Sequence, residues 1–166
     1  MPRANRKILT QLLDLPGNKV VEYTYPHEKQ IILTLEAEEK EAICPQCDRK
    51  SHRLHQNHVH LIKDLPWGET QVILQANRRQ FKCDRCQKPF SENLDYVEIR
   101  RKYTKRLAEK IVREVTQGDI HSVAARYGVK DSDVQKMVED LGKLKIEPPS
   151  TELKKLGIDE ISLVKG

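Results

Sequence analysis

The chain has 166 residues, a length that allows one ordinary domain or two or three small ones. Because only 37% of residues are apolar and 33% are charged, no segment can build a large core, and a bound metal would add stability that burial does not supply. No run approaches the roughly 18 apolar residues of a membrane span. Residues 1–15 lack a signal-peptide pattern, so we expect a cytoplasmic protein without a membrane partner.

Positive charge is concentrated in the middle of the chain. The formal net charge is +5, and residues 44–118 carry 16 basic and 9 acidic side chains. Residues 1–43 carry 6 basic and 7 acidic side chains, and residues 119–166 carry 8 and 9. A localised basic region predicts a polyanionic partner. Nucleic acid is favoured over a membrane because no basic amphipathic segment with Trp or Phe on its other face accompanies it.

Hydrophobic spacing predicts a helix and a hairpin before the first cysteine. Residues 5–14 place apolar side chains on one helical face, and Pro16-Gly17 ends the segment. Two alternating apolar rows follow, separated by a turn, and this pattern predicts a β-hairpin. The rows are Val21, Tyr23 and Tyr25, then Ile31, Leu33 and Leu35.

The cysteines form two Cys-x-x-Cys pairs, Cys44/Cys47 and Cys83/Cys86, with residues 48–82 between them. A Cys-x-x-Cys turn offers two thiolates to one ion, so two such turns complete the tetrahedral shell of zinc. Thiols stay reduced inside the cell, which favours metal ligation over disulfides. Since four thiolates leave no open position for water, we predict a structural rather than a catalytic zinc.

Two alternatives to this ligand set remain open. A redox pair would need a helix N-terminus in a βαβ unit, a context that neither Pro45-Gln46 nor Asp84-Arg85 indicates. A histidine could also replace one cysteine. The candidates follow the first pair and are His52, His55, His58 and His60. The last two lie opposite apolar neighbours in an alternating segment, so we favour contact with solvent or phosphate for them.

The segment between the cysteine pairs predicts a second hairpin that brings them together. Apolar residues before and after a Pro66-Trp67-Gly68 turn alternate with polar ones, and the row Val72, Leu74 and Ala76 leads toward Cys83. We expect Trp67 to pack on the fold rather than to stack on bases.

Helical periodicity begins near Thr104. Apolar residues share one face up to Val115, and two further helices are predicted from Asp119 to Tyr127 and from Asp131 to Leu141. The last two have helix-turn-helix spacing, with a small Ala124 at the crossing, Gly128 in the turn and Val134 six residues later. The third helix is acidic, which is awkward for a recognition helix and leaves a structural or protein-contact role open.

We predict double-stranded DNA as the partner, and no small-molecule substrate. The basic stretch entering the first of these helices meets little opposing charge, and its cations would release counterions from phosphates. The third helix adds polar side chains that can reach base edges or phosphates. The predicted DNA contacts are Arg78, Arg79, Arg100, Arg101, Lys102, Lys105, Arg106, Lys110, Arg113, Lys130, Ser132, Gln135 and Lys136.

Together these patterns predict an α+β chain in which a small β-hairpin zinc-knuckle domain is followed by a three-helix helix-turn-helix bundle. The expected boundaries are an N-terminal helix and hairpin over 1–43, a zinc-binding domain over 44–98, and a DNA-binding domain over 99–146. Residues 147–166 would form a linker and one strand.

The chain resembles the N-terminal half of ISL3-family insertion-sequence transposases of bacteria. The matching motifs are Cys44-Pro-x-Cys47, Asp64-Leu-Pro66, Arg79-Gln-Phe-Lys-Cys83, Cys86, Phe90-Ser-Glu92, the helix-turn-helix and Leu156-Gly-Ile-Asp-Glu160. The resemblance implies a zinc-binding domain and a helix-turn-helix that bind terminal inverted repeats on the bacterial nucleoid. It also implies a following RNase H-like domain that cuts and joins DNA with three carboxylates and divalent metal.

Asp159 matches the first of the family's catalytic carboxylates. Two-metal phosphoryl transfer needs several carboxylate oxygens, so we expect this chain to be inactive alone and Mg²⁺ to serve only the full-length family enzyme. Whether the chain is an enzyme is therefore left open. The alternatives are an interaction or dimerisation remnant that modulates a full-length transposase, as a homodimer or with that partner, and a stand-alone zinc-containing helix-turn-helix regulator.

Overall fold

A computed structural model describes residues 3–145 as an α+β fold. The helices are α1 (Arg3–Leu13), α2 (Lys105–Val115), α3 (Ile120–Tyr127) and α4 (Asp131–Lys145). The strands are β1 (Asn18–His27), β2 (Gln30–Ala37), β3 (Ala42–Ile43), β4 (Lys50–Ser51), β5 (Leu54–Trp67), β6 (Thr70–Lys82) and β7 (Pro89–Ser91). Among these helices none is both long and apolar enough to cross a membrane.

One five-stranded sheet dominates the fold. Its order is β1-β2-β6-β5, and β7 pairs with the C-terminal end of β6. The two predicted hairpins, β1–β2 and β5–β6, are antiparallel, whereas β2 and β6 pair in parallel. Strands β3 and β4 form a separate two-stranded sheet around the first cysteine pair. The parallel pairing of β2 with β6 therefore joins the two hairpins into one structure.

The parallel register explains why the two hairpins merge. It sets Ile31 opposite Val72, Leu33 opposite Leu74, and Leu35 opposite Ala76. All six side chains are buried in one cluster, because alternate residues of paired strands point to the same face. Helix α1 covers this face with Leu13, and Trp67 packs against the cluster as expected from the sequence. Helix α1 and the two hairpins thus share one core.

Helices α2 to α4 share a second buried cluster. Leu107 and Ile111 of α2 meet Val123 of α3 and Val134 and Met137 of α4 there. The helix ends follow local chemistry. Thr104 caps α2, and Asp119 caps α3 by accepting a hydrogen bond from Ser122 N at 2.8 Å. Gly128 ends α3 in the left-handed conformation, with φ of 59°. The three helices lie where their periodicity predicts them.

The helices are tied directly to strand β5. Lys63 N donates to Lys102 O at 2.8 Å, and Thr104 N donates back to Lys63 O at 2.9 Å. These bonds pair the connector before α2 with the outer edge of β5. Leu65 at the end of β5 packs against the helical cluster.

The predicted architecture of a small zinc-knuckle hairpin domain followed by a three-helix helix-turn-helix bundle is wrong. The α+β class is present, but the strands form a larger sheet, and the helices attach to its β5 edge. The prediction failed because alternation within β2 and β6 specifies each hairpin, but not the pairing between strands about 40 residues apart. Asp159 and residues 147–166 lie outside the described residues.

Candidate zinc centre and basic surface

The two cysteine pairs meet at one point beside the sheet. The Sγ atoms of Cys44, Cys47, Cys83 and Cys86 all lie within 4.8 Å of one another, and Cys47 Sγ is 3.6 Å from Cys83 Sγ. Tetrahedral ligands with zinc–sulfur bonds of about 2.3 Å are about 3.8 Å apart, so the cluster has the dimensions of a zinc shell. Cys44 and Cys83 are buried, with 2% and 1% of their surface exposed. The donor set and its spacing fit a structural zinc ion.

Each cysteine pair lies in its own turn, and the two turns have the same hydrogen-bond pattern. In the first, Cys44 N donates to Arg49 O at 2.8 Å and Asp48 N donates to Cys44 O at 2.9 Å. In the second, Cys83 N donates to Lys88 O at 3.1 Å and Gln87 N to Cys83 O at 2.9 Å. Asp48 and Gln87, each four residues after the first cysteine, have left-handed φ angles of 55° and 56°. Two copies of one knuckle therefore present four thiols to a common point.

Antiparallel strands hold the knuckles in place. The first knuckle links β3 to β4, and the second links β6 to β7. Ser51 at the end of the first knuckle donates its hydroxyl to Lys82 O at 2.8 Å, and Lys82 N donates to Arg53 O at 2.9 Å. Since Lys82 precedes Cys83, these bonds fix one knuckle against the other.

Hydrogen bonds within the cluster shift the pKa values of the thiols in opposite directions. Donation from Cys86 N lowers the pKa of Cys83 to about 7, whereas hydrogen bonding to the Cys47 thiol raises the pKa of Cys86 to about 12. Four thiolates this close repel one another unless a cation lies between them. A divalent ion supplies that charge, and zinc is the ion whose ligand preference matches four sulfurs.

The four nearby histidines stay apart from this cluster. Within residues 3–145, the group able to hold a metal there consists of the cysteines alone. His52 lies 3.3 Å from a Glu41 oxygen, and His58 lies 3.3 Å from Gln56 Oε1. His55 is exposed. Burial and the charge of Arg78 lower the pKa of His60. A mixed shell of three cysteines and one histidine therefore has no support in this geometry.

An ion pair braces β6 against the segment after the second knuckle. Arg79 Nε donates to Glu92 Oε2 at 2.9 Å, and its Nη2 donates to the same oxygen at 2.6 Å. Arg79 N also donates to Glu92 Oε1 at 2.8 Å, so one carboxylate receives both side-chain and backbone donors. The Arg79 side chain is 17% exposed. It lies 5.2 Å from the ring centre of Phe81, which packs against Phe90 beside the knuckle. The pair positions the strand that leads into Cys83.

Several other predicted DNA contacts also hold acidic partners. Arg106 pairs with the buried Asp64, and Arg101 pairs with Asp140 at 2.7 Å. The remaining pairs are Lys105–Glu98, Lys110–Glu114 and Lys136–Asp133, at 3.2, 3.2 and 3.4 Å. Arg106 also donates to Leu13 O at 2.8 Å, so it links α2 to the end of α1. Arg101 and Arg106 therefore help to hold the fold together, whereas the exposed lysine pairs contribute little to its stability.

A second group of predicted contacts is open to solvent. Arg100, Lys102, Arg113 and Lys130 are exposed and make no ion pair within the described part of the chain. Ser132 and Gln135 are exposed on α4. Arg78 is half-buried and donates to Glu92 O at 3.4 Å. The structure therefore separates the predicted contacts into cations that pair with a carboxylate and polar groups that do not, and contact of either group with DNA stays a prediction.

Sequence reasoning missed the roles of Lys63, Asp64 and Glu92. The last two lie in motifs that carry the family resemblance, and each is a buried carboxylate holding an arginine. The apolar residues near these two carboxylates in the sequence could have indicated burial. A buried carboxylate needs a cationic partner, so the roles of Asp64 and Glu92 could have been suspected. Lys63 gave no such signal, because a single lysine in a strand usually faces solvent.

A four-cysteine cluster on two knuckles, each between paired antiparallel strands, defines a zinc ribbon. Residues 40–86 match the family described as the zinc-finger of transposase IS204/IS1001/IS1096/IS1165. That span contains both cysteine pairs and the long β5–β6 hairpin between them. The ribbon is therefore of the ISL3 type, and zinc is its structural ion.

The remainder of the chain is similar to a transposase as well. The transposase for insertion sequence element IS1001 of Bordetella parapertussis is 26% identical over 167 residues, an alignment covering 98% of this chain. The chain spans 41% of that relative's length. The resemblance to the N-terminal half of ISL3-family transposases is thereby confirmed. No solved structure matches the chain.

Proposed function

We propose that the chain is the DNA-binding, zinc-containing N-terminal portion of an ISL3-type transposase and that it binds the terminal inverted repeats of its insertion sequence. The similarity to a transposase over 98% of the chain carries this proposal. Residues 44–98 would order the zinc ribbon and residues 99–146 would carry DNA contacts. Cutting and joining of DNA would belong to the longer family enzyme, and such a protein would act on the bacterial nucleoid.

The exposed surface around α3 and α4 supports DNA binding. Helix α4 presents Ser132 and Gln135 to solvent, where they can contact base edges. Arg100, Lys102 and Lys130 lie exposed nearby and can contact phosphates. The acidic first turn of α4, with Asp131 and Asp133, opposes close approach to phosphates. Asp133 is partly neutralised by Lys136 at 3.4 Å, and Asp131 lies 3.2 Å from His121.

Binding to the element's terminal repeat tests the proposal. The zinc-loaded chain should bind a duplex carrying the repeat more tightly than a scrambled duplex of equal composition at about 150 mM salt, by about 10³-fold for an ordinary specific site. Ser132→Ala with Gln135→Ala should reduce that ratio while leaving scrambled-duplex affinity nearly unchanged, because base contacts carry specificity. Equal affinity of the unmodified chain for both duplexes contradicts recognition of the repeat.

Self-association is a second candidate function, favoured by apolar side chains exposed on β5. Val59 and Leu61 are 62% and 54% exposed and point to the same face of the strand. Strand β5 lies at the edge of the sheet, where unpaired backbone groups can accept another strand. Light scattering with Val59→Thr and Leu61→Thr tests this role. A dimer that dissociates on substitution supports it, and a monomer at high concentration excludes it.

A further inference from the structure

A basic cleft lies where strand β5 meets the connector before α2 and the turn before α4. Its cations are Lys63, Arg100, Arg101, Lys102, Lys130 and Lys136, and Asp133 is its one carboxylate. The cleft has a volume of about 380 Å³. Its cations come from three separate parts of the chain. We call this site the basic cleft.

The charges of the basic cleft are only partly neutralised. Arg101 is held by Asp140, and Lys136 lies 3.4 Å from Asp133. Lys63, Arg100, Lys102 and Lys130 make no ion pair with an acidic side chain within residues 3–145. Four cations gathered without matching carboxylates repel one another, and an anion placed between them removes that repulsion. The cleft therefore favours an anionic ligand.

The basic cleft is held in shape by contacts through Lys63. The Lys63 ammonium donates to Gly128 O at the end of α3. Its backbone is bonded to Lys102 O and Thr104 N on the other side. Burial lowers the pKa of Lys63, as expected for an ammonium partly withdrawn from water. One strand residue thus holds both the connector and the turn between α3 and α4.

Arg100 adds an unusual backbone conformation at the rim of the cleft. Its φ is 63°, a left-handed value that is unfavourable for a residue other than glycine. The side chain is exposed. The turn at Arg100 directly precedes Arg101 and Lys102, and all three cations line the cleft.

We infer that the basic cleft binds a backbone phosphate of duplex DNA and that Lys63 of strand β5 contributes to this binding. This inference rests on the proposed function and deepens it, because it assigns DNA contact to the junction of sheet and helices rather than to α4 alone. The rigid bonds at Lys63 fix the distance between this phosphate and the exposed face of α4. The bound phosphate therefore sets the register of α4 on the duplex.

Salt dependence of binding tests the inference. The variant Lys102→Gln with Lys130→Gln removes two exposed charges without disturbing a described hydrogen bond. The slope of log affinity against log salt should fall in magnitude by about 0.9 for each phosphate that the variant no longer neutralises. Affinity for the repeat and for scrambled duplex should decrease by the same factor, since phosphates carry no sequence information. Lys7→Gln on α1, exposed and outside the cleft, should leave the slope unchanged.

Lys63 is tested by paired substitutions. Lys63→Met removes the charge and the bond to Gly128, so it should lower both the slope and the melting temperature. Lys63→Arg keeps the charge and should preserve the slope even where folding is weakened. Zinc content and circular dichroism confirm folding of each variant before binding is measured.

Each outcome separates this inference from the proposed function. Binding by the unmodified chain with an unchanged slope in the double variant overturns the inference and leaves the proposed function standing. Absence of DNA binding by the unmodified chain overturns both. Displacement of DNA by inorganic phosphate beyond a chloride control of equal ionic strength would assign the cleft to a free phosphate. Equal binding and slope on duplex RNA would reject duplex DNA as its partner.

Discussion

Asp64 and Arg106 join the sheet to the helices through a carboxylate that is withdrawn from solvent. Arg106 Nε donates to Asp64 Oδ1 at 2.8 Å, and the Asp64 side chain has 0% of its surface exposed. Thr104, which caps α2, donates its hydroxyl to the same oxygen at 2.7 Å. A single buried charge on β5 thus fixes the start of α2, and its loss leaves three donors without an acceptor.

Substitution of Asp64 by Asn should weaken the fold by about 3 kcal/mol, since removing one member of a buried pair leaves the other charge uncompensated. Urea unfolding of the zinc-loaded protein, followed by circular dichroism, measures this change. The matched control is Glu36→Gln, which removes the exposed Lys19–Glu36 pair at 3.2 Å. That change should alter stability by less than about 0.5 kcal/mol. Equal effects of the two substitutions would show that burial of Asp64 contributes little.

Features encoded by neighbouring residues could be predicted from the sequence. The cysteine pairs, the helices and the two hairpins follow from spacings of a few residues, and the structure contains them all. The parallel pairing of β2 with β6 could not be predicted, because it joins Leu33 to Leu74 across a long segment that adds no local signal. That pairing decides the architecture, so the predicted fold was wrong although most of its parts were right.

The same limit applies to the basic side chains. Arg79 and Arg106 look like DNA contacts in the sequence because each stands in a basic stretch with few acidic neighbours. Their partners lie 13 and 42 residues away, at Glu92 and Asp64. A cation is predictable from composition, but its partner depends on tertiary packing. Lys105, Lys110 and Lys136 are exposed and still pair with a carboxylate, so exposure alone does not show which cations lack an acidic partner.

Replacement of Cys83 by Ser should remove zinc and unfold the ribbon, because metal binding and folding are coupled in a site of this size. Metal analysis should give one zinc per unmodified chain and less than one for the variant. A chelator should reproduce the effect on the unmodified protein. His52→Ala, which removes a histidine close in sequence to the first knuckle but paired with Glu41, should retain the full zinc content. Loss of zinc in the His52 variant would restore the mixed ligand set.

Tyrosine hydroxyls buried without partners should make the protein sensitive to alkaline pH. Burial raises the pKa of Tyr103 to about 12, above the ordinary value near 10. The folded state therefore favours the neutral hydroxyl. The stability that the protonated Tyr103 hydroxyl contributes is complete below about pH 10 and is lost as pH rises toward about 12.

The variant Tyr103→Phe checks this pH dependence. The Tyr103 hydroxyl has no hydrogen-bond partner within residues 3–145, so its removal should be nearly neutral at pH 7. At pH 11 the variant should gain about 1 kcal/mol relative to the unmodified protein in urea unfolding. Tyr127→Phe is the contrasting control, because its hydroxyl donates to Glu114 at 2.6 Å. It should cost about 1 kcal/mol at pH 7. A constant difference for Tyr103→Phe across this pH range would contradict the expectation.

Gly128 should be needed for both its backbone conformation and its closeness to the sheet. Its φ is 59°, and an added Cβ would lie 2.5 Å from Gln71 Nε2. Because the end of the Gln71 side chain can move, the left-handed backbone should account for most of the effect, and Gly128→Ala should lose about 1 kcal/mol. Gly128→Asn should lose less, since asparagine tolerates this conformation better. Gly118→Ala is the control, because its nearest neighbour would lie at 3.6 Å. Restoration of stability in Gly128→Ala by Gln71→Ala would instead assign the loss to the contact.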